Sequence, residues 1–122
     1  MRAWIAVLST AALLNRMDSP ARRFPLHAGS EVRVVATAYC HSGRTAAGTP
    51  TESGVIAADP RVLPVGSVVR ILDGPRRGVY TVLDTGASIT GLKIDIFIKD
   101  CRRAEAFGKR AVHIRVTRSG PD

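Results

Sequence analysis

Val55-Ile-Ala-Ala-Asp59-Pro-Arg-Val-Leu-Pro-Val-Gly66-Ser-Val-Val-Arg-Ile-Leu72 is the stretch that decides the fold. Two short apolar runs, 55–58 and 67–72, read as strands, and Pro64 and Gly66 mark a tight, fixed connection between them. Strand-like runs recur outward in both directions, at 32–39, 79–83, 92–98 and 111–117. The last alternates Val112, Ile114 and Val116 against His113, Arg115 and Thr117, a half-buried pattern. Between the last two runs lies one short helix: Asp100 caps it, residues 101–107 fill it and Gly108 ends it. Residues 40–53 are small and polar and form a long loop. Six short strands with one short helix predict a mainly β fold closed into a barrel rather than an open sheet.

Length allows one domain, expected over 31–118, with a short tail at 119–122. Residues 18–30, with Pro20, Pro25 and Gly29, read as a linker. Residues 1–17 hold Arg2 and then a 12-residue apolar run, 3–14, which fits a signal-peptide core or N-terminal anchor. An ordinary apolar helix or a mis-chosen start codon is the alternative. No other segment is long and apolar enough to cross a membrane. Aromatic residues make up 5% of the chain, so the core must be built from Val, Ile, Leu and Ala.

The net charge of +8 favours anionic partners without choosing among them. No basic helix and no interleaving of aromatic with basic residues is present, so nucleic acid is not expected as a partner. The arginines come in scattered pairs, Arg22-Arg23, Arg76-Arg77 and Arg102-Arg103. Cys40 and Cys101 lack the local pairing of a zinc site. In an exported protein they form one disulfide closing a long loop; in the cytosol they are two free thiols.

Three aspartates end or interrupt strongly apolar runs. Asp59 follows 55–58, Asp84 follows 79–83, and Asp95 lies between Ile94 and Ile96. In a strand Asp95 points opposite to those two neighbours. Carboxylates gathered in a partly apolar cleft raise one another's pKa, which is how a carboxylic acid remains available as a general acid. Singly, Asp59-Pro60 and Asp84-Thr85-Gly86 also suit plain turns. The Asp84-Thr85-Gly86 triplet additionally matches half of a retropepsin-like aspartic protease, although its late position in the chain fits that family badly. His27, His41 and His113 share no ligand-like spacing, and neither a serine elbow nor a phosphate-binding loop is present, so no metal and no cofactor is expected.

Taken together and in order, Thr37-Ala-Tyr-Cys40, Thr51-Glu-Ser-Gly54, the Asp59 to Gly66 segment, the Asp84 to Gly91 segment, Ile94-Asp-Ile96 and Glu105-Ala-Phe-Gly108 resemble the three-aspartate (3D) domain family. That family is similar to the catalytic barrel of membrane-bound lytic transglycosylase A and shares a double-psi β-barrel with expansin-like proteins. The resemblance implies cleavage of the MurNAc–GlcNAc β-1,4 bond of peptidoglycan, and a monomer exported to the cell envelope is expected. Its three named aspartates fall on Asp59, Asp84 and Asp95. By that analogy Asp95 protonates the glycosidic oxygen and then, as base, draws the proton from the sugar's own C6 hydroxyl as a 1,6-anhydro ring closes. Asp59 and Asp84 would tune Asp95, bind sugar hydroxyls or hold the loops. Tyr39, Thr51, Thr85 and Gly86, within the same motifs, are expected to contact glycan. A non-catalytic wall-binding barrel is the main alternative. Two positions depart from the family pattern, Ala87 in place of a glycine and Thr90 in place of a lysine. A positive φ at position 87 would strain the loop.

Overall fold

The computed structural model describes residues 23–121. The expected signal segment and residues 18–22 lie outside the described residues. Six strands and one helix follow in the order β1 (Glu31–Tyr39), β2 (Val55–Ala58), β3 (Val68–Ile71), β4 (Gly78–Asp84), β5 (Lys93–Phe97), α1 (Cys101–Phe107) and β6 (Arg110–Arg118). The helix bounds coincide with the sequence reading, and the strand ends differ by a residue or so.

The strands close into a barrel in the order β1-β5-β2-β4-β3-β6, with β6 returning to β1. Two pairs are parallel, β1 with β5 and β2 with β4, and the other four are antiparallel. Parallel neighbours need crossover connections, so the two halves of the chain interlock as a double-psi barrel requires. Closure pairs every strand on both sides and leaves no open edge.

Alternation sets the inside. Val32, Val34 and Ala36 of β1, Val69 and Ile71 of β3, Val82 of β4, Ile94 and Ile96 of β5, and Val112, Ile114 and Val116 of β6 fill the lumen. Six strands enclose a narrow space, and β-branched aliphatics fit it without large rings. Burying each such side chain contributes about 1.5–3 kcal/mol.

Helix α1 covers part of this core with Ala104 and Phe107. The Asp100 side chain accepts from the Arg102 and Arg103 amides at 2.9 and 3.2 Å, and Gly108 ends the helix at φ 66°. Seven residues are too few for a helix to persist by itself. Two anchors hold it: its buried face, and a disulfide from Cys101 to Cys40, just past β1, with the Cα atoms 5.1 Å apart.

The segments flanking the strands are tied to the barrel as well. In the stretch read as a linker, Leu26 is 3% exposed within the core, and its amide donates to the Val62 carbonyl at 2.9 Å. Pro and Gly content marks irregular backbone, and irregular backbone can still pack. In the tail, the Gly120 amide donates to Ser67 Oγ at 2.9 Å.

Candidate functional site

Strand β2 is the centre of the outer face that carries Asp84 and Asp95. Ile56 and Ala58 point into the lumen, which turns Ala57 outward. Ala57 registers with Asp95 on β5 and with Asp84 on β4. On β1, Thr37 registers with Asp95. Register partners share a face, so Thr37, Asp95, Ala57 and Asp84 form one row across four strands. The methyl of Ala57, itself 4% exposed, lies between the two carboxylates.

An irregularity in β4 makes this row possible. Ile56 pairs with Val82 but Ala57 pairs with Asp84, so Leu83 is an extra residue in the ladder. Without it the period-2 alternation would put Asp84 on the same face as Val82, in the lumen. Bulges often serve to re-aim a side chain in this way.

Asp95 is half-buried and accepts from Thr37 Oγ1 at 2.8 Å. Burial lifts its carboxyl above the ordinary carboxylate range, and the negative charge of Asp84 adds to the lift. The Thr37 hydroxyl and the Lys93 ammonium oppose it. Lys93 lies two residues before Asp95, on the same face.

Asp84 has a different environment. Its Oδ1 accepts from the amides of Thr85 at 2.9 Å and Ala46 at 3.1 Å. Its Oδ2 faces the Tyr39 hydroxyl at 3.4 Å. The Tyr39 phenol is pushed well up, by burial first and then by Asp84, so it stays protonated and donates. Its ring meets Phe97 edge-on, centroids 5.5 Å apart. Asp95 and Phe97 share a face of β5, so the aromatic pair sits directly along from the acid. Thr51 and Phe97 help to line a cavity of about 620 Å³, together with Ser42, Glu52 and Lys99. Thr85 and Gly86 leave β4 as an exposed loop beside Asp84.

Asp59 stands apart from the row. It is 3% exposed and accepts from Arg61 Nη2 at 2.9 Å, from Arg61 Nε at 3.1 Å, and from the amides of Arg61 at 3.0 Å and Gly91 at 2.8 Å. The Arg61 guanidinium holds the carboxyl far below its usual range, and the Gly91 amide reinforces this. These bonds fasten the end of the 84–91 segment to the end of β2. Of the roles open to Asp59 from sequence, holding the loops is the one this geometry serves.

Ala87 carries no strain, because among the described residues only glycines have positive φ. Sequence reasoning missed Thr37, Lys93 and Ala57 as parts of the site. The first two stand two residues before Tyr39 and Asp95, and the strand period alone puts them on the same faces. The reading of Asp84-Thr85-Gly86 as half of a protease dimer does not survive the fold. Every strand of the closed barrel is paired within the chain, and the carboxylate nearest Asp84 in the row is the chain's own Asp95.

The 3D domain family model matches residues 54–118. The cell wall-binding protein YocH of Bacillus subtilis (strain 168) is 39% identical over 98 residues, which are 73% of this chain and 33% of that protein. The chain spans 23–40% of the length of the curated relatives it matches. The crystal structure of MltA from Escherichia coli, a lytic transglycosylase, superposes with a TM-score of 0.52 at 20% identity, over 66% of this chain and 29% of that one. The structure of Escherichia coli MltA with bound chitohexaose gives 0.51 at 16%, over 66% and 29%. At such identities the shared feature is the barrel.

Proposed function

The chain belongs to the 3D domain family, and from that premise we propose that it binds peptidoglycan glycan strands and cleaves the MurNAc–GlcNAc β-1,4 bond with Asp95 as acid and then base. The observation that carries this reading is the row itself: a half-buried carboxyl lifted toward its protonated form, with a second carboxylate one strand beyond Ala57. In the first half of the reaction Asp95 gives its proton to the glycosidic oxygen as the C1–O bond breaks. In the second it takes the proton of the C6 hydroxyl while that oxygen bonds to C1, leaving a 1,6-anhydro end. Glycosidases that use water or a covalent intermediate need a second carboxylate at a set distance. Here the nucleophile belongs to the substrate and is held close, so one titrating residue suffices.

Other residues take supporting roles in this reading. Asp84 keeps negative charge near the cationic sugar that develops. Tyr39, backed by the buried Phe97 ring, offers apolar surface beside the acid for a sugar face, and Thr51, Thr85 and Gly86 border the path of the strand. The disulfide fits a protein exported to the cell envelope, an oxidising setting. A closed barrel with no open edge fits a monomer.

One observation favours a second reading, binding without turnover: the similar YocH carries the name of a cell wall-binding protein. Digestion of purified peptidoglycan by the full chain, wild type against Asp95→Asn, separates the two. Anhydro-muropeptides released by wild type alone support cleavage as described. Fragments with reducing ends mean hydrolysis instead. No release, with both proteins sedimenting on the wall, leaves binding as the function.

A further inference from the structure

Three arginines far apart in the sequence, two of them from the Arg76-Arg77 and Arg102-Arg103 pairs, converge in space. Arg76 of the β3–β4 turn, Arg103 of α1 and Arg110 at the start of β6 line one cavity of about 230 Å³, with Pro75, Ala106 and Phe107 as its apolar walls. Two of the three parts of this wall are held firmly. Arg110 Nε donates to the Phe107 carbonyl at 3.1 Å, and its guanidinium carbon lies 4.8 Å from the Phe107 ring centroid. The turn is fixed by the Tyr80 hydroxyl, which donates to the Arg76 carbonyl at 2.8 Å.

Compensating negative charge is scarce. Arg103 has only a 3.9 Å approach to Asp100 and remains 76% exposed. Asp73, on the same turn as Arg76, is engaged by His113 through its ring at 2.7 Å and its amide at 2.8 Å. Glu105, the acid within α1, lines a separate cavity beside Cys40. Three arginines therefore line a small concavity with little to neutralise them.

We propose that this cavity binds a phosphodiester group of an anionic cell-wall polymer, at a site distinct from the acidic row. Three guanidinium groups arriving from separate elements match a tetrahedral anion with several acceptor oxygens, whereas a planar carboxylate is satisfied by one bidentate arginine. The cavity is smaller than the ~300–1,000 Å³ of typical small-molecule pockets, so it takes one phosphate and its flanking carbons. A base would need an exposed aromatic face for stacking, and Phe107 is buried beneath Arg110. A lipid surface would need apolar residues at the rim, and the large exposed ones among the described residues, Phe24 and Val79, do not line the cavity. The wall as the source of the phosphate rests on the function proposed above; the phosphate chemistry does not.

The test measures binding of the full chain to a soluble poly(glycerol phosphate), comparing wild type with the triple variant Arg76→Gln, Arg103→Gln, Arg110→Gln. A charge-matched control carries Arg33→Gln, Arg70→Gln and Arg118→Gln. The expected result is at least a tenfold weaker Kd for the first variant, a small change for the control, and competition by inorganic phosphate. Equal weakening in both variants would mean general charge attraction and overturn the site. Tighter binding to phosphatidylglycerol vesicles or to a single-stranded oligonucleotide, at equal phosphate, would overturn the wall polymer as ligand. Asp95→Asn binds the polymer like wild type, so failure of the cleavage reading leaves this result intact, and the reverse holds too.

Discussion

Asp84 and Asp95 register against the same residue, Ala57, from opposite sides of β2. Their Cα atoms are thus two strand spacings apart, about 9–10 Å, with only a methyl between them. That relationship makes one carboxylate an electrostatic neighbour of the other without direct contact.

Two substitutions should move the pH dependence of glycan release in opposite directions. Asp84→Asn removes a charge that raises the Asp95 pKa, so the high-pH limb of activity shifts to lower pH. Thr37→Val removes a hydroxyl that favours the ionised form, so the same limb shifts to higher pH. Both shifts are smaller than the effect of burial, which is the leading cause. Parallel movement in the two variants would exclude Asp95 as the group that must be protonated.

Asp59→Ala should destabilise the barrel by about 2–3 kcal/mol, a fall in Tm of roughly 10–20 °C. It strips partners from the Gly91 and Arg61 amides, while the exposed Arg61 side chain regains water. The folded carboxyl is held below its unfolded range, so the folded state binds fewer protons. Its contribution is full above the unfolded pKa of about 4 and fades as pH falls toward the folded value. Thermal melts from pH 7 to pH 2.5 should show a flatter acid limb for the variant than for wild type.

Reduction of Cys40–Cys101 frees a loop with a sequence separation of 61. The chain-entropy relation puts the loss at about 4 kcal/mol. Melting with and without reductant should differ by more than about 15 °C, and the Cys40→Ser, Cys101→Ser variant should match the reduced protein. A difference of a degree or two would mean that α1 is held by Ala104 and Phe107 alone.

Gly120→Ala should behave as a core mutation despite lying in the tail. A Cβ there would collide with the Val65 carbonyl oxygen and come within 2.8 Å of the Ser67 amide and 2.9 Å of the Pro64 carbonyl. All three are backbone atoms and have no rotamer by which to yield. A loss of about 1–3 kcal/mol is expected from such overpacking, read as a lower urea midpoint with an unchanged slope.

Much of the barrel was legible because its signals are local. Val112, Ile114 and Val116 alternate with polar residues, Asp100 and Gly108 bracket α1, and scarce aromatics pointed to an aliphatic lumen. Strand order was not legible, since β1–β5 and β2–β4 pair across long stretches of chain. The packing of Leu26 and Gly120 was hidden for the same reason: their partners, Val62 and Ser67, are distant in sequence.

The site divides along the same line. The sequence by itself determined which carboxylates stand at strand ends or within apolar runs, because alternation and turn chemistry act over two or three residues. Only the tertiary structure decided what surrounds each carboxylate. Register against Ala57 and one extra residue at Leu83 turned Asp84 toward Asp95, while Arg61 and Gly91 took possession of Asp59. Burial and neighbouring charge, which set a pKa, come from strands that meet only when the barrel closes.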